Sequence, residues 1–313
     1  MTTDLSNNLV FVTGYQGFLG SRLVDLLTAN GATVVGLKFY GYPNEIDHDS
    51  SIDQEKFYLR RIEEDLSDLL EGPAHRGYKK TCYHFAGLAS PLDCQRHPEE
   101  AYKSNVLLTQ SVIEFCDSSH IDKLIYPSTG YVYGNQLKIS ATERESLKAD
   151  TVYTSTKLTA ESLIQCYATE HELSYLIGRI SNVYGNGISE ETVTGKIIGC
   201  LNNNRPVVMN SLRPTRDFIY VDDVIRAFLS FLLLSPREAG IYNIGTGIPT
   251  SIKVLAESAC EIASVPVSTI SSINGDEMSD TWLVLDSSKL QKVSDWKPRI
   301  SLKEGLAKVI KRS

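Results

Sequence analysis

Short apolar runs alternate with amphipathic stretches through the first half of the chain. Leu9, Val10, Phe11 and Val12 form a β-like run that ends in Thr13-Gly14. Over residues 19–30 the apolar positions Leu19, Leu23, Leu26 and Leu27 recur at helical spacing, and Asn30-Gly31 supplies a helix stop. Further strands are predicted over 32–37 (ATVVGL), 81–86 (TCYHFA), 123–127 (KLIYP) and 174–180 (SYLIGRI), with helices over 101–117 and 153–171. Strands alternating with helices of this length imply right-handed βαβ units and a parallel sheet covered on both faces. After about residue 184 the rhythm breaks into short segments, a turn-rich stretch at 202–206 (NNNRP) and later helices. The fold class this predicts is α/β, a doubly wound parallel sheet with a smaller second region. No internal repeat or low-complexity segment interrupts it.

Composition narrows the function classes. The 313 residues allow two domains or one large α/β unit. A net charge of −7 leaves no global field to attract nucleic acid or an anionic membrane, although a local basic pocket for a small anion is compatible with it. With 42% hydrophobic and 22% charged residues the chain is ordinary globular protein, which excludes disorder as its main state. The apolar stretch at 227–234 is too short to cross a bilayer, and MTTDLSNNLV lacks the features of a secretory leader. Six scattered cysteines (82, 94, 116, 166, 200, 260) form no CxxC pair, which argues against a disulfide framework and a metal site. The expectation is a cytoplasmic protein with reduced thiols and neither nucleic-acid nor membrane partners.

Between the first strand and the first helix stands VTGYQGFLG, with Gly14, Gly17 and Gly20. Three glycines at this junction permit a tight turn, close backbone approach to a pyrophosphate, and exposed N–H groups at a positive helix end. The junction is read as a dinucleotide site. The residue that reads the adenosine ribose is expected at the end of the second strand, where the sequence is Gly36-Leu37-Lys38-Phe39 and holds no carboxylate. Lys38 would suit a 2′-phosphate, or it is a solvated lysine at a strand end, so the cofactor is NADP or NAD.

Tyr153 and Lys157 (YTSTK) share a helix face at i, i+4, shortly after a strand that carries Ser128 and Thr129. A tyrosine of pKa about 10 is a poor base near neutrality. An ammonium one turn away favours the phenolate, and a drop of ~3 units corresponds to ~4 kcal/mol of differential interaction. The Thr129 hydroxyl can bind the same substrate oxygen and hold it for hydride transfer.

The segments VTGYQGFLG (12–20), HFAG (84–87), PSTGYVYG (127–134), YTSTK (153–157), RISNVYG (179–185), RDFIYVDD (216–223), YNIGTG (242–247) and WKPRISLKEGL (296–306) follow one another in a telling order. In that order they resemble the extended short-chain dehydrogenase/reductases, and among these the nucleotide-sugar epimerase/dehydratase/ketoreductase family. The likeness runs from about residue 9 to 306. It implies a Rossmann-type sheet (1–183 plus 217–250), a smaller carboxy-terminal α/β substrate domain (184–216 plus 251–313) and a cleft between them. By resemblance Gly14, Gln16, Gly17, Phe18, Leu19 and Gly20 form the pyrophosphate loop, and Asp65-Leu66 meets the adenine. Phe85, Ala86, Gly87 and Asn105 wall the cofactor, Thr129, Tyr153 and Lys157 are catalytic, and Ser128, Asn182 and Arg216 face the nucleotide sugar. The other reading of Arg216 is an ion pair with Asp217 or Asp222. The resemblance also implies a homodimer in which the helices over 101–117 and 153–171 form a four-helix bundle, with Leu158, Leu163, Ile164 and Tyr167 suited to it.

Departures from the family pattern select among its reactions. Dehydratases of the family carry an acidic pair after the catalytic threonine, and the GDP-fucose epimerase-reductases place a cysteine there. Here Gly130 and Tyr131 follow Thr129, which disfavours elimination of water and proton shuffling at carbons 3 and 5. Where relatives often have Arg-x-Gly-Asp the chain has Ile273-Asn274-Gly275-Asp276, so one nucleotide contact is missing, a charge Arg213 could supply. The segment VVMNSLRPTRDF (207–218) is similar to that of GDP-4-keto-6-deoxymannose reductases. The leading reading is reduction of a nucleotide-linked 4-keto-6-deoxyhexose with Tyr153 as acid. A carbon 4 epimerase holding NAD, and a non-catalytic nucleotide-binding member of the family, are the alternatives.

Overall fold

The computed structural model describes residues 3–38, 57–61, 67–136, 138–171, 173–273 and 280–311. The chain divides into two compact units, the first made of Met1–Ser128, Ala149–Gly178 and Phe228–Ile241, the second of Thr129–Lys148, Arg179–Ala227 and Tyr242–Ser313. Residues 129–148, 179–183, 217–227 and 242–250 group with the second unit, whereas the sequence reading places them in the first.

The main sheet contains β1 (Asn8–Thr13), β2 (Thr33–Lys38), β3 (Phe57–Arg61), β4 (Lys79–His84), β5 (Lys123–Thr129), β6 (Ser174–Ile180) and β10 (Gly240–Ile244), in the order β10-β6-β5-β4-β1-β2-β3. The β1–β2, β2–β3, β1–β4 and β4–β5 ladders are all parallel. In β1 every residue of the apolar run 9–12 is fully buried, so both faces of the strand are covered. That explains why the run is continuous instead of alternating. The strand order, with β1 central and its two neighbours β2 and β4 on either side, makes this a Rossmann-type α/β fold.

Helix α1 (Gly20–Ala29) buries Leu23, Val24 and Leu27, and it ends where the sequence signals a stop. Asn30 bonds back to the Leu26 carbonyl through its side chain (2.7 Å), and Gly31 takes φ +94°. The helices α2 (Ser67–Leu70), α3 (Pro91–Arg96) and α4 (Pro98–Tyr102) precede α5 (Leu108–Ser118) and the long α6 (Val152–His171). The helix predicted over 101–117 is interrupted: Lys103–Leu107 forms a π-helical turn between α4 and α5. Periodicity cannot reveal one extra residue in a turn, and π-turns recur at functional sites. This one buries Ser104 and Asn105. Behind it a core of Phe11, Val112, Phe115, Leu124, Tyr126, Ala160 and Ile164 joins sheet to helices.

Lys123, at the start of β5, is 7% exposed, and its ammonium donates to the carbonyls of Phe231 (3.1 Å), Leu232 (2.9 Å) and Leu234 (2.6 Å). These are the last carbonyls of α8 (Val221–Leu233) and its exit, which carry the negative end of the helix dipole. Lys123→Met keeps the stem and orphans three acceptors. The expected cost is ~2–4 kcal/mol, read as a lower denaturant midpoint at unchanged slope.

The second unit is organised around β9 (Thr215–Tyr220), which pairs with β7 (Asn182–Tyr184), β11 (Pro249–Ser251) and β13 (Trp282–Leu283). Its other strands, β8 (Val207–Met209) and β12 (Ile270–Ser272), pair with each other. Helices α7 (Val193–Asn202), α9 (Ile252–Ala263), α10 (Ser288–Val293) and α11 (Leu302–Val309) complete it. Two buried carboxylates fix its loops. Asp217 accepts from the Thr246 amide (2.9 Å), the Gly247 amide (3.1 Å) and the Thr246 hydroxyl (2.5 Å). Asp223 accepts from the amides of Arg299 and Ile300 (2.9 Å each), which pins the carboxy-terminal segment. No helix among the described residues is long and apolar enough to cross a membrane.

Candidate active site

The first unit assembles most of the residues singled out in the sequence. Gly14 leaves β1 at φ +67°, and a Cβ there would lie 2.5 Å from the Ala86 amide nitrogen and 2.6 Å from the Phe85 carbonyl carbon. A Cβ on Gly20 would stand 2.0 Å from the Gly14 carbonyl oxygen. Only glycine allows the turn to close this tightly against β4. Gly17 differs: its Cβ would meet only the Gly14 oxygen, at 3.2 Å. Leu19, at the N-cap of α1, offers no side-chain cap, and the first turn holds no acidic residue. The Ser21 amide donates to the Gly17 carbonyl (3.0 Å), and the positive end of the helix dipole faces the loop without a carboxylate to neutralise it. A smooth backbone cradle with an uncapped positive helix end fits the pyrophosphate of a dinucleotide. Phe18 is fixed beside it, with its carbonyl accepting from Arg22 (2.6 Å) and its ring under the guanidinium (4.7 Å).

The wall opposite the loop is built by Phe85, Ala86 and Gly87. The Ala86 amide donates to the Thr13 hydroxyl oxygen (3.1 Å), tying the wall to the end of β1. Gly87 takes φ +149°, and a Cβ there would stand 2.6 Å from Asn105 Oδ1. That oxygen accepts from the Leu88 amide (2.7 Å), while Asn105 Nδ2 donates to the Leu88 carbonyl and the Thr156 hydroxyl oxygen (3.0 Å each). Asn105 thus pins the wall to α6 from its π-turn. Lys38 lies half-buried at the end of β2. The β2–β3 register sets Arg60 and Arg61 opposite Leu37 and Lys38. Asp65 and Leu66 lie outside the described residues.

Tyr153 and Lys157 are both buried on α6 (8% and 7% exposed), and Tyr153 packs with Cys94 and Ala101. The Lys157 ammonium donates to the Pro127 carbonyl (3.0 Å) and the Tyr126 hydroxyl (3.2 Å). Burial pushes Lys157 down to about 8, partly offset by Cys94 and Glu161. Burial, with the Lys157 charge behind it, pushes His84 down to about 3, so this imidazole is neutral. Ser128 donates to the buried carboxylate of Glu161, so its hydroxyl is held by α6. Sequence reading missed Tyr126, Glu161 and Thr156 as parts of this arrangement. The usable signal is the two-residue period of β5 (126, 128) set against the four-residue period of α6 (157, 161).

The second unit carries the remaining candidates. Thr129 ends β5 with 5% exposure, and its Oγ1 accepts from the Tyr131 amide (3.2 Å). The Tyr131 hydroxyl accepts from Asn182 Nδ2 (2.9 Å). Arg216 donates to the carbonyls of Thr215 (2.8 Å) and Thr281 (3.1 Å) and to the Thr281 hydroxyl oxygen (3.0 Å). These bonds hold the guanidinium at Thr281, the residue before β13, and neither Asp217 nor Asp222 is among its bonded partners.

The model of the NAD dependent epimerase/dehydratase family matches residues 10–245. The chain is 28% identical to the dTDP-D-glucose 4,6-dehydratase of Homo sapiens, over 96% of this chain and 88% of that one. It is equally identical (28%) to the Dictyostelium discoideum enzyme of that name, of which it spans only 63%. It is 24% identical to the dTDP-4-dehydro-6-deoxyglucose reductase of Escherichia coli, over 98% of both. Among solved structures, the UDP-glucuronic acid 4-epimerase of Bacillus cereus with UDP-glucuronic acid and NAD superposes with a TM-score of 0.81 at 25% identity, over 96% of this chain and 97% of that one.

Proposed function

From the premise that this chain belongs to the NAD-dependent epimerase/dehydratase family, we propose that it reduces the carbon 4 ketone of a nucleotide-linked 4-keto-6-deoxyhexose, with NADPH or NADH as reductant. The observation that carries this reading is Tyr131. After Thr129 stand Gly130 and a phenol bonded to Asn182, so this segment offers no carboxylate to protonate a leaving hydroxyl. Hydride chemistry at one carbon is what the remaining groups support.

A bound nicotinamide dinucleotide would supply the hydride. The glycine loop and the α1 N-terminus would hold its pyrophosphate, and Phe85, Ala86, Gly87 and Asn105 would form the adjoining wall. Tyr153 gives its phenolic proton to the alkoxide that forms at the substrate oxygen. The Lys157 ammonium stabilises the phenolate left behind, and burial makes that charge more effective than it would be in water. Thr129 is the proposed second hydroxyl to that oxygen. Asn182 and Arg216 are proposed to receive the nucleotide's diphosphate, where the arginine fork suits paired phosphate oxygens. Lys38, half-buried at the end of β2 where no carboxylate stands, supports a 2′-phosphate and hence an exchangeable NADPH.

The UDP-sugar and NAD in the Bacillus cereus 4-epimerase favour a second reading, oxidation and re-reduction at carbon 4 around a retained NAD. One preparation separates the two. Denaturation followed by mass spectrometry of released dinucleotide is expected to find none, and adding a nucleotide-linked 4-keto-6-deoxy sugar is expected to consume NADPH or NADH stoichiometrically. Stoichiometric retained NAD, with a sugar isomerised at constant absorbance, would establish the epimerase.

A further inference from the structure

Behind Lys157 lies a row of buried polar groups to which the proposed reaction gives no part. Tyr126 is 1% exposed, Thr109 and His84 are fully buried, and Thr13 is fully buried at the end of β1. Their bonds fit one proton arrangement. The Thr13 hydroxyl accepts from the Ala86 amide (3.1 Å) and donates to His84 Nδ1 (2.8 Å). His84 Nε2–H then donates to the Thr109 hydroxyl oxygen (3.0 Å), and that hydroxyl donates to the Asn105 carbonyl (2.7 Å). Tyr126 lies beside this row, its ring centre 5.5 Å from that of His84. Its phenol, kept neutral by burial, turns its oxygen to the Lys157 ammonium (3.2 Å), with the ring 4.6 Å from that nitrogen.

An ammonium has three donors on a freely turning stem. Two acceptors in fixed places, Pro127 O and Tyr126 Oη, stop that rotor and aim the third N–H. The second acceptor deepens the torsional well that the Pro127 bond creates and holds the nitrogen from a second direction. Tyr126 in turn packs on His84 of the row that also fixes Ala86 and Asn105, the wall beside Gly87. We propose that Tyr126 is a positioning residue for Lys157, holding the ammonium charged and oriented from the same buried network that places the cofactor wall. The proposal rests on the reading of Lys157 as the cation that supports Tyr153.

The groups facing this ammonium are Tyr126 and His84 from the sheet, Cys94 from α3, and Glu161 from its own helix. Tyr153 is the further phenol beside Tyr126. His84 is neutral, and burial pushes the Cys94 thiol up to about 11, so neither competes with Tyr126 by gaining charge near neutrality.

Tyr126→Phe keeps the ring and removes the acceptor. The direct readout is the titration of Lys157 in the intact chain, followed by NMR of 15N-labelled lysine and assigned with Lys157→Arg. Loss of the acceptor makes the ammonium easier to deprotonate, so its midpoint is expected to fall by roughly one pH unit. In turnover, kcat is expected to lose its alkaline arm by the same interval while KM for the sugar stays within about twofold. Thr109→Val, which breaks the row at its bonds to His84 and Asn105 and so loosens the packing behind Tyr126, should shift the midpoint the same way by less, and it replaces Tyr126→Phe if that variant does not fold. Superimposed titrations of variant and parent overturn the proposal. A shifted titration in a protein that consumes no keto-sugar leaves the proposal standing and overturns the reductase reading instead.

Discussion

Replacing Tyr153 by phenylalanine is expected to lower kcat by about 10²–10⁴-fold, the range lost when a positioned proton donor is removed. Dinucleotide affinity should change by no more than about threefold, because the ring still packs against Cys94 and Ala101 and the glycine loop is untouched. The expectation rests on the helix that carries the residue. Tyr153 lies in the first turn of α6, its ring buried, one turn before an ammonium that is itself tied to the β5 backbone at Pro127. Phenylalanine therefore removes a hydroxyl and little else. Stopped-flow measurement of nicotinamide oxidation, run with a dinucleotide binding isotherm on the same sample, checks both halves. Turnover within about tenfold of the parent would remove Tyr153 from the chemistry. A variant that loses turnover but still supports the protein's biological role would favour the non-catalytic family member.

The elements legible from sequence are those whose signal is local. The β1 run, the glycine turn, the Asn30-Gly31 stop and the long α6 each declare themselves within a dozen residues, because burial on both faces of a strand or one face of a helix is written in consecutive positions. The Tyr153–Lys157 pair is legible for the same reason, both residues being on one helix. The π-turn at Lys103–Leu107 was not, since it depends on Asn105 finding Leu88 and Thr156, 17 and 51 residues away. The sequence shows Tyr126 only as part of a strand over 123–127, and the fold shows that its hydroxyl meets a lysine 31 residues on. Family motifs carried a different ambiguity. Part of RDFIYVDD and the start of WKPRISLKEGL meet for structural reasons, with Asp223 receiving the Arg299 and Ile300 amides and the Trp296 indole donating to the Asp223 carbonyl (2.8 Å). Recurrence of a motif does not separate such a clasp from a ligand contact; geometry does. Arg216 shows the converse, since the two neighbouring carboxylates that could have explained it are absent from its hydrogen bonds.

The glycine loop gives the second large effect, and two of its glycines, Gly14 and Gly17, are expected to fail in different ways. Gly14→Ala forces a Cβ into a left-handed conformation that costs about 1 kcal/mol by itself. It also drives that carbon against the backbone of Phe85 and Ala86, neither of which is a side chain that can turn aside. The Phe85 amide donates to the Thr13 carbonyl (3.1 Å) and the Ala86 amide to the Thr13 hydroxyl, so the displacement breaks the seam between β1 and β4. A total loss of at least about 3 kcal/mol is expected, seen as a lower melting temperature or insoluble protein. Gly17→Ala meets only the Gly14 oxygen at 3.2 Å, in a backbone conformation open to any residue. Its fold should survive, with a melting temperature within about 2 °C of the parent, the size of shift expected from a few tenths of a kcal/mol. On the proposal that this loop receives the pyrophosphate, a methyl at Gly17 should nevertheless lower dinucleotide affinity by at least about tenfold, a loss of ~1.4 kcal/mol. The pair separates a packing role from a binding role within four residues. Calorimetric titration of NADH and NADPH into Gly17→Ala, beside its thermal melt, is the deciding measurement. Normal affinity in a normally folded Gly17→Ala would mean that the loop closes a turn and holds no phosphate.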